Sequence, residues 1–176
     1  MIRSLFAPAI LSAMLFTGCS QAAEAPAAPA PAATAQPAMP RLSAFDTISA
    51  CLYRHRNDGR MESCIFEYAT ACNELSEEGA TPEGVVRCHN EEADAWERHL
   101  AEARETMAAS MSSGGQAALA AAQDAWLVSR DADCAMLASF YAGTQSALAE
   151  QAICRARLTG RRAIQLILWD LNYPPY

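Results

Sequence analysis

Apolar residues recur at helical spacing along the whole chain after Arg41. Ala, Leu, Glu and Arg are abundant there, and runs of β-branched residues are absent, which favours helix over strand. Turn-forming residues divide this region into predicted helices at about 43–57, 61–78, 82–111, 116–141 and 146–171. Thr81 and Pro82 supply an N-cap and a first-turn proline for the third of them. The pattern therefore predicts an all-α fold, an antiparallel bundle of about five helices.

An arginine lies on the apolar face of the fourth predicted helix. Arg130 follows Trp126 by one turn and precedes Cys134 by one turn, in a stripe of residues spaced three and four apart. An isolated buried charge is costly, so a buried Arg130 needs an acidic partner. Glu92, four residues before Trp96 on the third predicted helix, is the predicted partner in a structural ion pair that sets the helix register. The alternative is an arginine that contacts a ligand.

The beginning of the chain has the features of an export signal. A short apolar run over residues 5–16 leads into Phe16-Thr17-Gly18-Cys19, which resembles a bacterial lipobox. The run is shorter than the ~20 residues that are needed to cross a bilayer. The segment therefore predicts an exported lipoprotein whose Cys19 carries the lipid. The alternative is an ordinary secretory peptide that is cut near Ser20-Gln21-Ala22.

The segment after Cys19 is predicted to be a spacer. Residues 20–40 are almost entirely Ala, Pro, Gln and Thr, and proline favours extended polyproline II over helix. The remaining chain is long enough for a single hydrophobic core. We therefore expect a signal peptide at 1–18, a linker at 19–41 and one helical domain at 42–176. This domain is expected to be lipid-anchored in the cell envelope and to face the periplasm.

The other six cysteines are predicted to form disulfides. An even number of cysteines in an exported chain implies three bonds, although fifteen pairings are formally allowed. We predict that sequential pairs join neighbouring helices: Cys51 with Cys64, Cys72 with Cys88, and Cys134 with Cys154. The alternative is a metal site, since Cys51 and His55 have helical i, i+4 spacing. The chain contains no Cys-x-x-Cys pair and its histidines do not cluster in sequence, so no metal site is expected.

Composition argues against several function classes. The formal net charge is −7, which argues against nucleic acid as a partner, because the phosphate backbone repels an acidic protein. All thirteen basic residues are arginine, so lysine Schiff-base chemistry and a phosphate-loop lysine are excluded. No serine lies in a Gly-x-Ser-x-Gly elbow, and adjacent acids such as Glu91 and Glu92 point in different directions on a helix. We therefore expect neither an enzyme nor a bound cofactor.

Charge is unevenly distributed among the predicted helices. The second and third are acidic, whereas the fifth is basic through Arg155, Arg157, Arg161 and Arg162. Solvated faces and ion pairs between helices are the simpler interpretation. The alternative is a docking surface for a protein of complementary charge.

The helical region resembles a known family. The resemblance is strongest over residues 123–134, around the spacing Trp-x-x-x-Arg-Asp-x-x-Cys, and continues through 141–144 and 154–166. It extends back to Cys72, so that it covers roughly 72–166. On these residues the chain is similar to the lysozyme inhibitor LprI-like family of small exported helical proteins. Cys51 and Cys64 resemble an N-terminal addition that is found in a subset of that family.

The resemblance implies a module that inhibits lysozyme by binding to it. An inhibitor must present residues to the acidic catalytic cleft of a lysozyme, and the turn before the fifth helix and the arginines of that helix are the candidates. The candidate partner-binding residues are Gly143, Thr144, Gln145, Ser146, Arg155 and Arg157. The alternative function is a structural or adaptor lipoprotein of the cell envelope that has no lysozyme activity, with another envelope protein as its partner.

Overall fold

The computed structural model describes residues 43–173, and every regular element among them is a helix. The elements, in chain order, are α1 (Ala44–His55), a 3-10 helix (Met61–Cys64), α2 (Glu67–Leu75), α3 (Pro82–Ala109), α4 (Ser113–Ser139) and α5 (Gln145–Asn172). The all-α prediction is confirmed. The predicted signal peptide, Cys19 and the linker lie outside the described residues.

Hydroxyl side chains cap three of the helices at their N-termini. Ser43 accepts from the backbone N–H of Asp46 at 3.1 Å, and Thr81 accepts from that of Gly84 at 3.0 Å, just ahead of Pro82. These bonds satisfy donors that the first helical turn leaves unpaired. Ser112 caps α4 in the same way, so α4 includes Gly114 and Gly115 in its first turn and begins earlier than predicted.

The second predicted helix is two shorter elements. Ile65 is extended, and Phe66 has φ of +76°, a left-handed conformation that is uncommon for a residue with a bulky side chain. The chain therefore turns sharply between the 3-10 helix and α2. The prediction of one continuous helix over 61–78 is wrong, because tertiary contacts of this turn outweigh the local helical pattern.

Three disulfides connect consecutive elements of the bundle. Cys51–Cys64 joins α1 to the 3-10 helix, Cys72–Cys88 joins α2 to α3, and Cys134–Cys154 joins α4 to α5. The predicted sequential pairing is confirmed. A crosslink of this kind typically stabilises a small domain by about 2–4 kcal/mol.

The core lies where α3 and α5 pack along each other, and α1 and the 3-10 helix cover one side of them. Trp96 of α3 is completely buried and packs against Gly160 of α5. A Cβ atom at Gly160 would lie 3.0 Å from both Trp96 and Ile65, so this glycine permits the close approach of the helices.

α4 packs mainly on α5 and makes little contact with α3, so most of its surface is exposed. None of the helices in residues 43–173 combines the length and the apolar character that a membrane crossing requires.

Candidate functional site

A buried carboxylate lies at the centre of α3. Glu92 is 0% exposed, and its Oε1 accepts from the backbone N–H of Phe66 at 2.5 Å and from Trp96 Nε1 at 3.1 Å. Its Oε2 accepts from the backbone N–H of Ala69 at 2.7 Å. Phe66 and Ala69 belong to the beginning of α2, which has no side-chain cap of its own. Glu92 therefore caps α2 from a neighbouring helix.

The environment of Glu92 shifts its proton affinity in two opposing directions. Burial raises the pKa of Glu92, because a carboxylate is poorly solvated inside the bundle. The hydrogen bonds from the backbone of Ala69 and Phe66 and from the Trp96 indole oppose this rise, since they stabilise the charged form. All three neighbours are donors, so the group serves as an acceptor that holds the turn before α2 in place.

Arg130 of α4 pairs with different acids from the one predicted. It is buried, as predicted, and forms ion pairs with Glu97 of α3 and with its neighbour Asp131. Its Nη1 also donates to the hydroxyl of Thr159 on α5 at 3.1 Å. This network ties three helices together.

The predicted Glu92–Arg130 ion pair is wrong. Glu97 follows Glu92 by five residues, which corresponds to a rotation of about 140° around the helix axis. Glu92 consequently faces α2, and Glu97 faces α4 and α5. Glu97 is the residue that the sequence reasoning missed. A signal for it exists in the acidic run of the third helix, but the rotation of α3 decides which acid meets Arg130.

The turn between α4 and α5 carries four of the candidate partner-binding residues. Gly143, Thr144, Gln145 and Ser146 are all exposed, and Gly143 has φ of +79°, a conformation that glycine adopts without strain. The Thr144 hydroxyl donates to the Tyr141 carbonyl at 2.7 Å, which closes the turn.

Large apolar side chains surround this turn. Phe140 is 73% exposed and Leu148 is 52% exposed, and Met136 and Tyr141 are exposed as well. We call residues 136–148 the hairpin tip. Sequence reasoning did not identify Phe140 and Leu148 as exposed, because both residues continue helical patterns that are compatible with burial.

The two candidate arginines lie elsewhere on α5. Arg155 is half-buried and donates to Asn90 at 3.4 Å and to Asp94 at 3.3 Å, so it forms one of the expected ion pairs between helices. Arg157 is exposed and lies 5.5 Å from the centre of the Phe66 ring. Arg157 is about 18 Å along the helix from the start of α5. The structure therefore does not bring these arginines together with the hairpin tip.

Three residues of metal-ligating type lie close together near the Cys51–Cys64 disulfide. Cys51, Cys64 and Glu67 lie close together, but the two sulfur atoms form a disulfide. They are not available as thiolate ligands while that bond is intact.

A buried histidine of α3 packs against α1. His99 is stacked on the Phe45 ring at 4.2 Å, and its Nε2 lies 3.4 Å from the Phe45 carbonyl oxygen and from the Ser49 hydroxyl. Its Nδ1 lies 3.8 Å from Glu102, whose charge favours the protonated ring. Burial has the larger effect and lowers the pKa of His99 below the usual value of 6.5.

We expect the domain to lose stability as the pH falls below about 6.5. The His99 ring of the unfolded chain takes up a proton there, whereas that of the folded chain does so only at lower pH, so protonation favours unfolding. Chemical denaturation of the wild type and of His99→Gln at several pH values between about 5 and 8 measures the free energy of unfolding. This free energy should decline less steeply with falling pH in the variant than in the wild type. Parallel profiles would assign the pH dependence to other groups, such as His89, whose pKa burial also lowers.

A family model described as lysozyme inhibitor LprI matches residues 72–166, which is more than half of the 176-residue chain. The chain belongs to the LprI lysozyme inhibitor family. The LprI match begins at Cys72 in α2 and ends at Leu166 in α5, so it includes Cys72–Cys88, Cys134–Cys154 and the hairpin tip. α1 and the Cys51–Cys64 bond precede it. No curated protein and no solved structure matches the chain significantly.

Proposed function

We propose that this LprI family member is an exported lipoprotein that binds a lysozyme and occludes its cleft. Family membership supports a role in binding a protein of the lysozyme class. The proposed inhibition depends on contacts between two folded proteins and requires no covalent step and no metal ion.

The observation that carries this proposal is the exposed apolar surface of the hairpin tip. Phe140, Tyr141 and Leu148 lie within nine residues of one another at the end of a helical hairpin. Clustered exposed apolar and aromatic side chains are typical of protein interaction sites. Cys134–Cys154 joins the two helices behind the tip. Such a crosslink restricts their relative movement, so less entropy is lost when a partner binds.

Arg157 of α5 supplies charge complementarity at a distance from this apolar contact. Arg157 is exposed, and it lies about 18 Å along α5 from the start of that helix. A lysozyme cleft contains catalytic carboxyl groups. An arginine outside the direct contact attracts such a cleft over a distance, which raises the association rate more than the final affinity.

The proposal predicts that Phe140→Ser weakens lysozyme binding about tenfold or more, because the substitution removes a large aromatic contact from the tip. The matched control is Val128→Ser, since Val128 is 72% exposed on α4 and lies about three turns before Phe140, the C-cap of that helix. Binding to a panel of purified lysozymes is measured by calorimetry, and inhibition is measured in a cell-wall lysis assay. Inhibition should be stoichiometric, reversible and weaker at high salt.

Equal losses for Phe140→Ser and Val128→Ser would contradict the placement of the contact at the tip. Arg157→Ala should reduce the association rate and the salt dependence, with a smaller change in the dissociation rate. Absence of binding to every lysozyme at micromolar concentration would contradict inhibition itself. It would favour the structural or adaptor lipoprotein, for which crosslinking in intact cells should recover one specific envelope protein.

The lipid anchor predicts a change in fractionation. Cys19→Ala removes the thiol to which the lipid would be attached, so the variant should move from the membrane fraction to the soluble fraction or should retain its signal peptide. Mass spectrometry of the wild type should show a lipid-modified N-terminal Cys19. A free N-terminus beyond Cys19 would instead indicate ordinary secretory cleavage.

A further inference from the structure

A surface groove lies between the 3-10 helix, α4 and α5. Its volume is about 400 Å³, and its lining includes Trp126, Leu158, Arg161, Arg162, Gln165 and Trp169. A groove of this size accommodates a small organic molecule. Arg162 follows Thr144, the N-cap of α5, by 18 residues, which places the groove about 27 Å along the helix from the hairpin tip.

The groove contains a buried guanidinium that forms no ion pair within the described residues. Arg162 is 9% exposed, and its Nε and Nη1 donate to the amide oxygens of Gln123 at 3.1 Å and Gln165 at 2.8 Å. Its Nη2 donates to no group in residues 43–173. Arg130, which is 7% exposed, has two carboxylate partners. Since an unpaired buried charge is costly, Arg162 is a favourable partner for an anion that enters the groove.

Two indole rings flank this guanidinium. The Cζ atom of Arg162 lies 5.9 Å from the centre of the Trp126 ring and 5.6 Å from that of Trp169. Trp169 is 37% exposed, so part of its ring is available for contact. The rings restrain the guanidinium and offer an apolar surface beside it. A ligand that combines an anion with an apolar body matches both features.

The charges around the groove indicate which anion fits. Arg161 and Arg162 contribute two positive charges to the lining, and Glu62 of the 3-10 helix contributes one negative charge. The balance favours a singly charged carboxylate over a doubly charged phosphate. The planar guanidinium also matches the geometry of a carboxylate.

We propose that this groove binds a small organic monocarboxylate, with the carboxylate on Arg162 and the apolar body against Trp169. The proposal does not depend on lysozyme binding, because the groove and the hairpin tip are separate parts of the surface. It concerns a second binding site of the same domain.

The test uses the full chain with phenylacetate as the probe and phenylacetamide as its neutral analogue. The chain has three tryptophans, and two of them line the groove. The third, Trp96, is buried, and its indole N–H donates a hydrogen bond to Glu92. Phenylacetate should shift the indole N–H signals of Trp126 and Trp169 in NMR spectra in a saturable way and should leave that of Trp96 in place. Phenylacetamide and inorganic phosphate should each bind at least tenfold more weakly.

Matched variants decide whether Arg162 is responsible. Arg162→Gln should weaken phenylacetate binding at least tenfold, whereas Arg104→Gln, a change at an exposed arginine of α3, should leave it unchanged. Trp169→Leu, at a partly exposed position, should weaken binding even if Arg162→Gln proves unstable. Equal binding of phenylacetate and phenylacetamide, equal effects of the two arginine variants, or no saturable shift at millimolar phenylacetate would each overturn the proposal.

Discussion

Replacing Glu92 with alanine is expected to destabilise the domain by about 3–5 kcal/mol. The substitution leaves two backbone N–H groups at the beginning of α2 and the Trp96 indole N–H without their acceptor. It also creates a cavity beside Trp96, which is fully buried. The free energy of unfolding, measured by denaturant titration, checks the expected loss.

Two further variants test whether the loss of stability comes from the hydrogen bonds of Glu92. Glu92→Gln keeps one acceptor oxygen but presents an amide group to a backbone donor, so we expect an intermediate loss of about 1–3 kcal/mol. Glu105→Ala, at an exposed position on the same helix, should change stability by less than about 0.5 kcal/mol. Hydrogen exchange of the Phe66 and Ala69 amides should accelerate in Glu92→Ala. Unchanged exchange at these two amides would contradict the capping role.

The second large effect is expected for Arg130→Ala, at about 2–4 kcal/mol, somewhat below the loss for a fully buried pair because Glu97 is 35% exposed. The substitution removes the link between α3, α4 and α5 and leaves Glu97 without its counter-ion. Arg130→Met should cost less than Arg130→Ala, because it also removes the counter-ion of Glu97 but retains an apolar stem that fills part of the space. Thermal and denaturant unfolding of both variants provide the comparison.

Double-mutant cycles distinguish the two acids of α3. Arg130→Met and Glu97→Gln should show a coupling energy of about 0.5–3 kcal/mol, because their side chains are in direct contact. Arg130→Met and Glu92→Gln share no hydrogen-bond partner, so their effects should add. Strong coupling of Arg130 to Glu92 would instead restore the pairing that the sequence alone suggested.

Much of the fold could be predicted because the relevant signals are local. Thr81 with Pro82 marks the start of α3 by residues that are adjacent in the chain. The sequential disulfides follow from the same logic, since each one joins neighbouring helical elements and closes a short loop. The buried position of Arg130 was also predictable, because Trp126 and Cys134 place it on one apolar stripe.

The local sequence pattern did not predict the break between the 3-10 helix and α2. The pattern over 61–78 is compatible with one helix, yet Phe66 adopts a left-handed conformation and α2 begins only at Glu67. Glu92 supplies the hydrogen bonds that hold this turn, from a position more than twenty residues away. A window of neighbouring residues contains no information about that acceptor.

The sequence by itself determined the all-α class, most of the helices, the Thr81 cap of α3, the crosslinks and the family, because each depends on residue types at short and regular spacing. Only the tertiary structure decided which acid meets Arg130 and which residues surround Arg162. The rotation of α3 is set by its packing on α5, where Gly160 admits Trp96. That rotation turns Glu92 towards α2 and Glu97 towards Arg130. The Arg162 groove likewise combines residues from the 3-10 helix, α4 and α5. The packing angles between these elements bring the residues together, and the periodicity of any one helix does not encode those angles.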